Sequence, residues 1–168
     1  MRVACVALAA VFLLEGSPVQ SGGPANPWNL FIAKSKKGTY RSKVLDIDQP
    51  AANPQKYTKK IEPGQTAKFF VKLKNSGPGD FNTRLSFSGN TPGYTVAIFL
   101  DGVEVTSTYA GQCVFSDTVP AGKKLLFQYR ITATTAPVGD KKDFAAIGFL
   151  DSGCTERFDA VWAIVKVV

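Results

Sequence analysis

Cys113 and Cys154 are the best-defined reactive pair in this 168-residue chain. The third cysteine, Cys5, lies in an apolar N-terminal run. If that run is removed, the count becomes even and the two body cysteines can pair. Such a bridge would tie the middle of the chain to its end. By loop-closure entropy, a mechanism still disputed, it is worth roughly 4 kcal/mol. The alternative is two free thiols that never meet. No Cys-x-x-Cys spacing occurs, so a redox centre is not expected. Asp46-Ile47-Asp48 sets two carboxylates on one strand face. Joined by Asp101, Asp140, Asp143 or Asp151 from turns, they are weak calcium candidates, because calcium takes about six to eight oxygens. No EF-hand loop is present, and paired surface acids are most often simply solvated. Neither a metal nor a cofactor is expected. The same acids could be imagined as a glycosidase pair, but scattered turn acids occur on every soluble protein.

Histidine is absent, which removes the commonest general base and the commonest zinc ligand together. The chain also lacks a phosphate-binding glycine loop, a dinucleotide fingerprint and a Gly-x-Ser-x-Gly elbow. The expectation is a protein that is not an enzyme. Its remaining chemistry is charge and aromatic surface. The net charge is +7, and it is uneven. Eleven basic residues and three acidic ones lie between Lys34 and Lys74, a local +8, while the remainder is near neutral. Trp28, Tyr40 and Tyr57 lie in or beside this basic stretch. The partner-binding candidates are therefore Trp28, Lys36, Lys37, Lys59, Lys60, Lys68, Lys72 and Lys74. They suit an anionic polysaccharide, a cell-wall polymer or an acidic face of a second copy. A solvated basic face is the plainer alternative. Nucleic acid is not expected, since the aromatic–basic repeats that stack bases are missing. Trp162 sits in an apolar run and reads as core.

The elements that must carry these residues are strands. Pro63-Gly64 opens a turn. Ala67, Phe69, Val71 and Leu73 then share one face of a period-2 strand, with Lys68, Lys72 and Lys74 on the other. Asn75 to Asp80 turns the chain again. Alternation recurs over Phe81–Ser88 and Tyr94–Leu100, and Asp101-Gly102 is a hairpin signal into a returning strand, Val103–Thr108. Pro120-Ala121-Gly122 opens a second such strand, with Leu125, Phe127, Tyr129 and Ile131 on one face. Phe144–Leu150 follows, with Gly148 marking a bulge. Phe158–Val168 is a long, nearly continuous apolar strand, central or covered on both faces. Upstream, Trp28–Ala33 and Tyr40–Ile47 read as strands. Gln49–Lys60 reads as an irregular crossing or an edge. Turn signals every eight to twelve residues mark an all-β, Ig-like antiparallel β-sandwich of seven or more strands with an N-terminal extension. Phe69, Val71, Leu85, Val96, Ile98, Phe127, Tyr129, Phe149 and Trp162 are the expected core.

From about Ile61 to Val168 the chain resembles the Ig-like domains of bacterial and archaeal secreted and surface proteins, the CARDB-like and NPCBM-associated (NEW3-like) group. Four pieces carry the resemblance: Pro63-Gly64-Gln65-Thr66 through Lys74-Asn75-Ser76-Gly77; Gly93-Tyr94-Thr95-Val96 with Phe99-Leu100-Asp101-Gly102; Val119-Pro120-Ala121-Gly122 before Leu125–Thr132; and Asp159 to Val165. Residues 24–60 and the cysteine pair fall outside it. Members serve as spacers, stalks, adhesion modules or fibre units, so the resemblance implies no reaction and no catalytic residues.

Met1-Arg2 followed by twelve apolar residues, Val3–Leu14, is too short to span a bilayer and reads as a signal peptide, or as a retained apolar segment. No transmembrane anchor is expected. The division expected is 1–23 signal peptide or apolar segment, 24–60 extended strands and linker, and 61–168 sandwich. The function expected is that of a secreted, extracellular or cell-surface structural protein that self-associates into a fibre or filament, by strand exchange between neighbours. The alternative is a carbohydrate- or cell-wall-binding module.

Overall fold

The computed structural model describes residues 28–41 and 55–168. Two five-stranded sheets face each other. Sheet A runs in the order β1 (Trp28–Ala33), β3 (Thr66–Asn75), β8 (Lys124–Ala133), β5 (Tyr94–Leu100), β6 (Val103–Glu104). Sheet B runs β2 (Lys56–Ile61), β10 (Arg157–Val167), β9 (Lys141–Phe149), β4 (Arg84–Phe87), β7 (Val114–Phe115). The order β1-β3-β8-β5 against β10-β9-β4 is that of strands ABED against GFC in an immunoglobulin sandwich. The expected Ig-like fold is therefore present. β2 adds itself alongside β10 as a parallel strand, whereas the other strand pairs are antiparallel.

The alternating sequence explains the core. Phe69, Val71 and Leu73 of β3, Phe127, Tyr129 and Ile131 of β8, and Ile98 of β5 are fully buried. They meet Leu85, Phe87, Phe144, Val161 and Val165 from sheet B. Phe87 packs edge-on against Tyr129 and Tyr109, and Tyr94 against Phe144. Each such side chain contributes about 1.5–3 kcal/mol on burial.

Several local expectations need correction. Trp162 is not core. It is half-buried on the outer face of β10, beside Lys56 of β2 and Ala145 of β9, while Val161, Ala163 and Val165 point inward. β10 is apolar on both faces, so its sequence alternation cannot choose a face. Phe149 is buried on the same outer side, outside the central cluster. The returning strand after Asp101-Gly102 lasts only two residues. Thr106–Tyr109 then forms one helical turn. Thr106 Oγ1 accepts the Ile98 amide, replacing a backbone partner, and Tyr109 is buried against Phe127. The bulge lies on β10 rather than β9, since pairing shifts between Arg157 and Asp159. Gly148 is small because the Phe158 ring occupies the place of its missing Cβ. Finally, the edge alternative for Gln49–Lys60 holds over its described part: Lys56–Ile61 lies at the edge of sheet B, as a regular strand rather than an irregular stretch.

Both upstream strands belong to this molecule's own sheets. β1 pairs with β3 over its whole length, and β2 with β10. Arg41 bridges back to Ile32. Residues 1–23, the rest of the Tyr40–Ile47 strand, Asp46 and Asp48 lie outside the described residues.

Candidate functional site

Period 2 in β3 and β8 sends every second side chain out of sheet A. The register then sets these residues in rows. Lys74 lies beside Lys124 and Asn29; Lys72 beside Leu126 and Phe31; Phe70 beside Gln128, with Phe99 beyond it; Lys68 beside Arg130. β1, β3, β5 and β8 contain no aspartate or glutamate. The face thus carries five cations around an aromatic band. Among the described residues, Asp101 and Glu104 border the face at its far edge, and Asp80 accepts the Ala121 amide in the turn before β8.

Several of these groups are already held in place. The Lys72 ammonium sits 3.7 Å from the centre of the Tyr40 ring and 5.2 Å from that of Phe31. Tyr40 is anchored by its hydroxyl, which donates to the Lys36 carbonyl. The Arg130 guanidinium lies 3.9 Å from the centre of the Phe99 ring. Its Nε and Nη2 both donate to Gln128 Oε1, at 2.9 and 2.7 Å. Burial, then Lys124 and Lys74, lowers the Lys72 pKa. Like charges set this close disfavour one another's charged form.

Two shallow grooves mark the face. One, of about 530 Å³, is lined by Phe31, Lys72, Lys74, Gly122, Lys123 and Lys124. The other, of about 420 Å³, is lined by Phe70, Phe99, Leu126, Gln128, Lys36 and Asp101. Their linings come side by side at Lys72 and Leu126, which pair across β3 and β8.

The remaining candidates are dispersed. Lys59 lies at the sandwich edge near Lys34 and Lys68, and its pKa is lowered by burial and then by those two charges. Lys37 is exposed in the turn after β1. Lys60 is exposed on β2 beside Lys166, away from sheet A. Trp28 stacks flat on Phe81 with an interplanar angle of 6°. It is a packing residue that pins the start of β1. Tyr57 donates to the Thr39 carbonyl and lies under Arg41. Sequence reasoning missed Lys123, Lys124, Arg130, Phe31, Phe70, Phe99 and Gln128. The available signal was the repeated Pro/Gly-led strand, since β3 and β8 are those two strands and pair with each other.

The acids serve local structure. Asp140 accepts the Tyr94 hydroxyl at 2.8 Å. Burial, and then that bond and the Asp140 charge, push the phenol up to about 12. Asp151 accepts the amides of Gly153, Thr155 and Glu156, which holds it below the usual carboxylate range. Among the described residues no three His, Cys, Asp or Glu side chains are grouped to hold a metal. Cys113 and Cys154 form a disulfide, with Cα atoms 6.4 Å apart, tying the start of β7 to the β9–β10 turn. Asp159, also unforeseen, is 1% exposed. Its carboxylate accepts the Leu30 amide at 2.7 Å, Gln55 Nε2 at 2.6 Å and its neighbour Ala160's amide at 2.8 Å. It therefore clamps β1 and the approach to β2 onto β10.

No family model matches the chain, and no curated protein matches it. Among solved structures, it is similar to the N-terminal domain of PorA, at 16% identity and a TM-score of 0.42, over 82% of this chain and 96% of that one. It is also similar to a PapD-like domain of human CEP192, at 13% identity and a TM-score of 0.38, over 75% and 96%. A family 123 glycoside hydrolase from Clostridium perfringens gives 7% identity and a TM-score of 0.44, over 67% of this chain and 22% of the enzyme.

Proposed function

We propose that this is a secreted, non-enzymatic Ig-like domain that binds an anionic cell-surface polysaccharide across the outer face of sheet A. One observation carries the reading: four adjacent strands present Lys68, Lys72, Lys74, Lys124 and Arg130 outward and contain no carboxylate. A single exposed ion pair is worth only about 0–1 kcal/mol. Such a face gains affinity by engaging many charges of one polymer at once. Secretion is supported by the disulfide, which persists in oxidising compartments, and by the signal-like start. The sequence resemblance to CARDB-like and NEW3-like surface domains, which serve as spacers, stalks, adhesion modules or fibre units, fits the same setting.

The test is binding to immobilised alginate, a polyuronate, against neutral dextran. Wild type should bind alginate and ignore dextran, and a Lys72→Ala/Lys74→Ala/Lys124→Ala variant should lose at least tenfold in affinity. Equal retention on both polymers, or no effect of the triple change, overturns the proposal. Polyphosphate and single-stranded DNA serve as controls for indiscriminate polyanion binding.

Self-association into a fibre is the second reading. β1 and β2 already occupy the places beside β3 and β10 that a donated strand would take. What favours association is an exposed apolar spot of Phe115 and Leu150, 55% and 52% exposed, around one groove beside the disulfide. Sedimentation of the purified protein, with Phe115→Ser as the control, decides it: a monomer at every concentration removes this reading.

A further inference from the structure

The two grooves on sheet A differ in chemistry, and that difference carries information about the ligand. The Lys72–Lys124 groove has four ammonium groups and one aromatic ring, Phe31. It is built for anionic oxygens. The adjoining groove mixes Phe70, Phe99 and Leu126 with Gln128, Lys36 and Asp101. Its floor is apolar and aromatic, and its rim has both donors and acceptors. A carboxylate ligand gains little net attraction there, because Asp101 offsets the one cation of the lining, Lys36. An uncharged sugar ring gains more. Its C–H face can lie on Phe70 and Phe99, and its hydroxyl or amide groups can bond Gln128 and Asp101. Arg130 is fixed at the far end of this groove by Phe99 and Gln128, and Lys68 stands beside it across the β3–β8 pair.

Along β3 the order is therefore cationic, apolar, cationic. Lys68 and Lys72 are four residues apart, which a strand rise of about 3.3 Å per residue places about 13 Å apart. We infer that the polysaccharide is one in which an acidic sugar alternates with a neutral one. Its neutral ring is seated in the Phe70–Phe99–Gln128 groove, and its acidic groups fall on the Lys72–Lys124 groove to one side and the Lys68–Arg130 pair to the other. This rests on the polysaccharide reading above, and it excludes polymers charged at every unit as the best ligands.

The experiment compares hyaluronan oligosaccharides, in which a uronate alternates with a neutral N-acetyl sugar, with alginate oligosaccharides of equal charge number, by calorimetry at fixed ionic strength. Wild type should bind the alternating polymer at least fivefold tighter. Gln128→Ala and Phe99→Ala should each erase that preference, by weakening hyaluronan binding more than alginate binding, which also loses the ordering of Arg130. Thermal melts confirm that each variant folds, and Gln128→Ala, which removes no core group, is the safeguard if Phe99→Ala does not. Equal affinity for the two polymers, or a preference untouched by both changes, overturns the inference and leaves the polyanion reading standing. Loss of binding to both polymers in wild type defeats the reading itself.

Discussion

Asp159 shows how much a single residue can hide in a sequence. It opens an apolar strand, where a carboxylate reads as a strand boundary. In the fold it is buried, and its oxygens take amides from β1 and from Gln55. Burial pushes its carboxyl up to about 6, against three N–H donors that hold it down. The sign of the consequence is set by linkage. The native state keeps a proton that the unfolded chain releases near pH 4, so this group favours the fold at acid pH. That contribution fades as pH rises through about 6. A shift of about two units corresponds to roughly 3 kcal/mol. Denaturant midpoints measured from pH 4 to 7 should therefore fall with rising pH. In Asp159→Asn that slope should flatten, whatever the variant's overall stability. An unchanged slope would assign the pH dependence elsewhere. At this scale the sequence made the cysteine pairing readable, because two residues left one option. It could not expose Asp159, whose partners lie 129 and 104 positions away in the chain.

At the scale of elements, β1 is the instructive case. Its apolar, aromatic composition made it legible as a strand. Its neighbours were not legible, because a strand's sequence does not say which edge it will join. Trp28 illustrates the difference. An aromatic residue after Asn26-Pro27 among polar residues suggests an exposed platform, yet it is stacked on Phe81. Trp28→Ala should lower stability by about 1–2 kcal/mol through lost stacking and packing, read from urea unfolding, and should leave alginate affinity unchanged. A selective loss of polymer binding without loss of stability would return Trp28 to the site. The Val103–Thr108 segment failed in the opposite way. Its hairpin turn was right, with Asp101 and Gly102 both at positive φ, but the strand gave way to a helical turn because Tyr109 gains more by entering the core than the chain gains by continuing a ladder.

For the whole molecule, the dominant feature is one basic sheet face on a well-packed sandwich. Screening acts on it in two directions. Raising salt from about 0.1 to about 1 M shortens the Debye length from about 10 to about 3 Å. Polymer affinity should then fall at least tenfold. The melting temperature should rise, because repulsion among Lys34, Lys59 and Lys68, and among Lys72, Lys74 and Lys124, is relieved. Titrations and thermal melts over the same salt series check both. Opposite trends would mean that these lysines are neutralised by partners within the fold.

The amino-acid sequence by itself determined the sandwich. Period-2 alternation and Pro/Gly turns are local properties, and they leave few ways to bury Phe69, Val71, Phe127 and Tyr129 together. It also determined that the basic residues cluster between Lys34 and Lys74. Which of those lysines share a face was decided only by tertiary structure. Strand register placed Lys124 and Arg130, fifty or more residues away in sequence, beside Lys74 and Lys68, and sent Lys60 to the other sheet. The pairing of distant strands depends on packing across the core, and no local pattern encodes it.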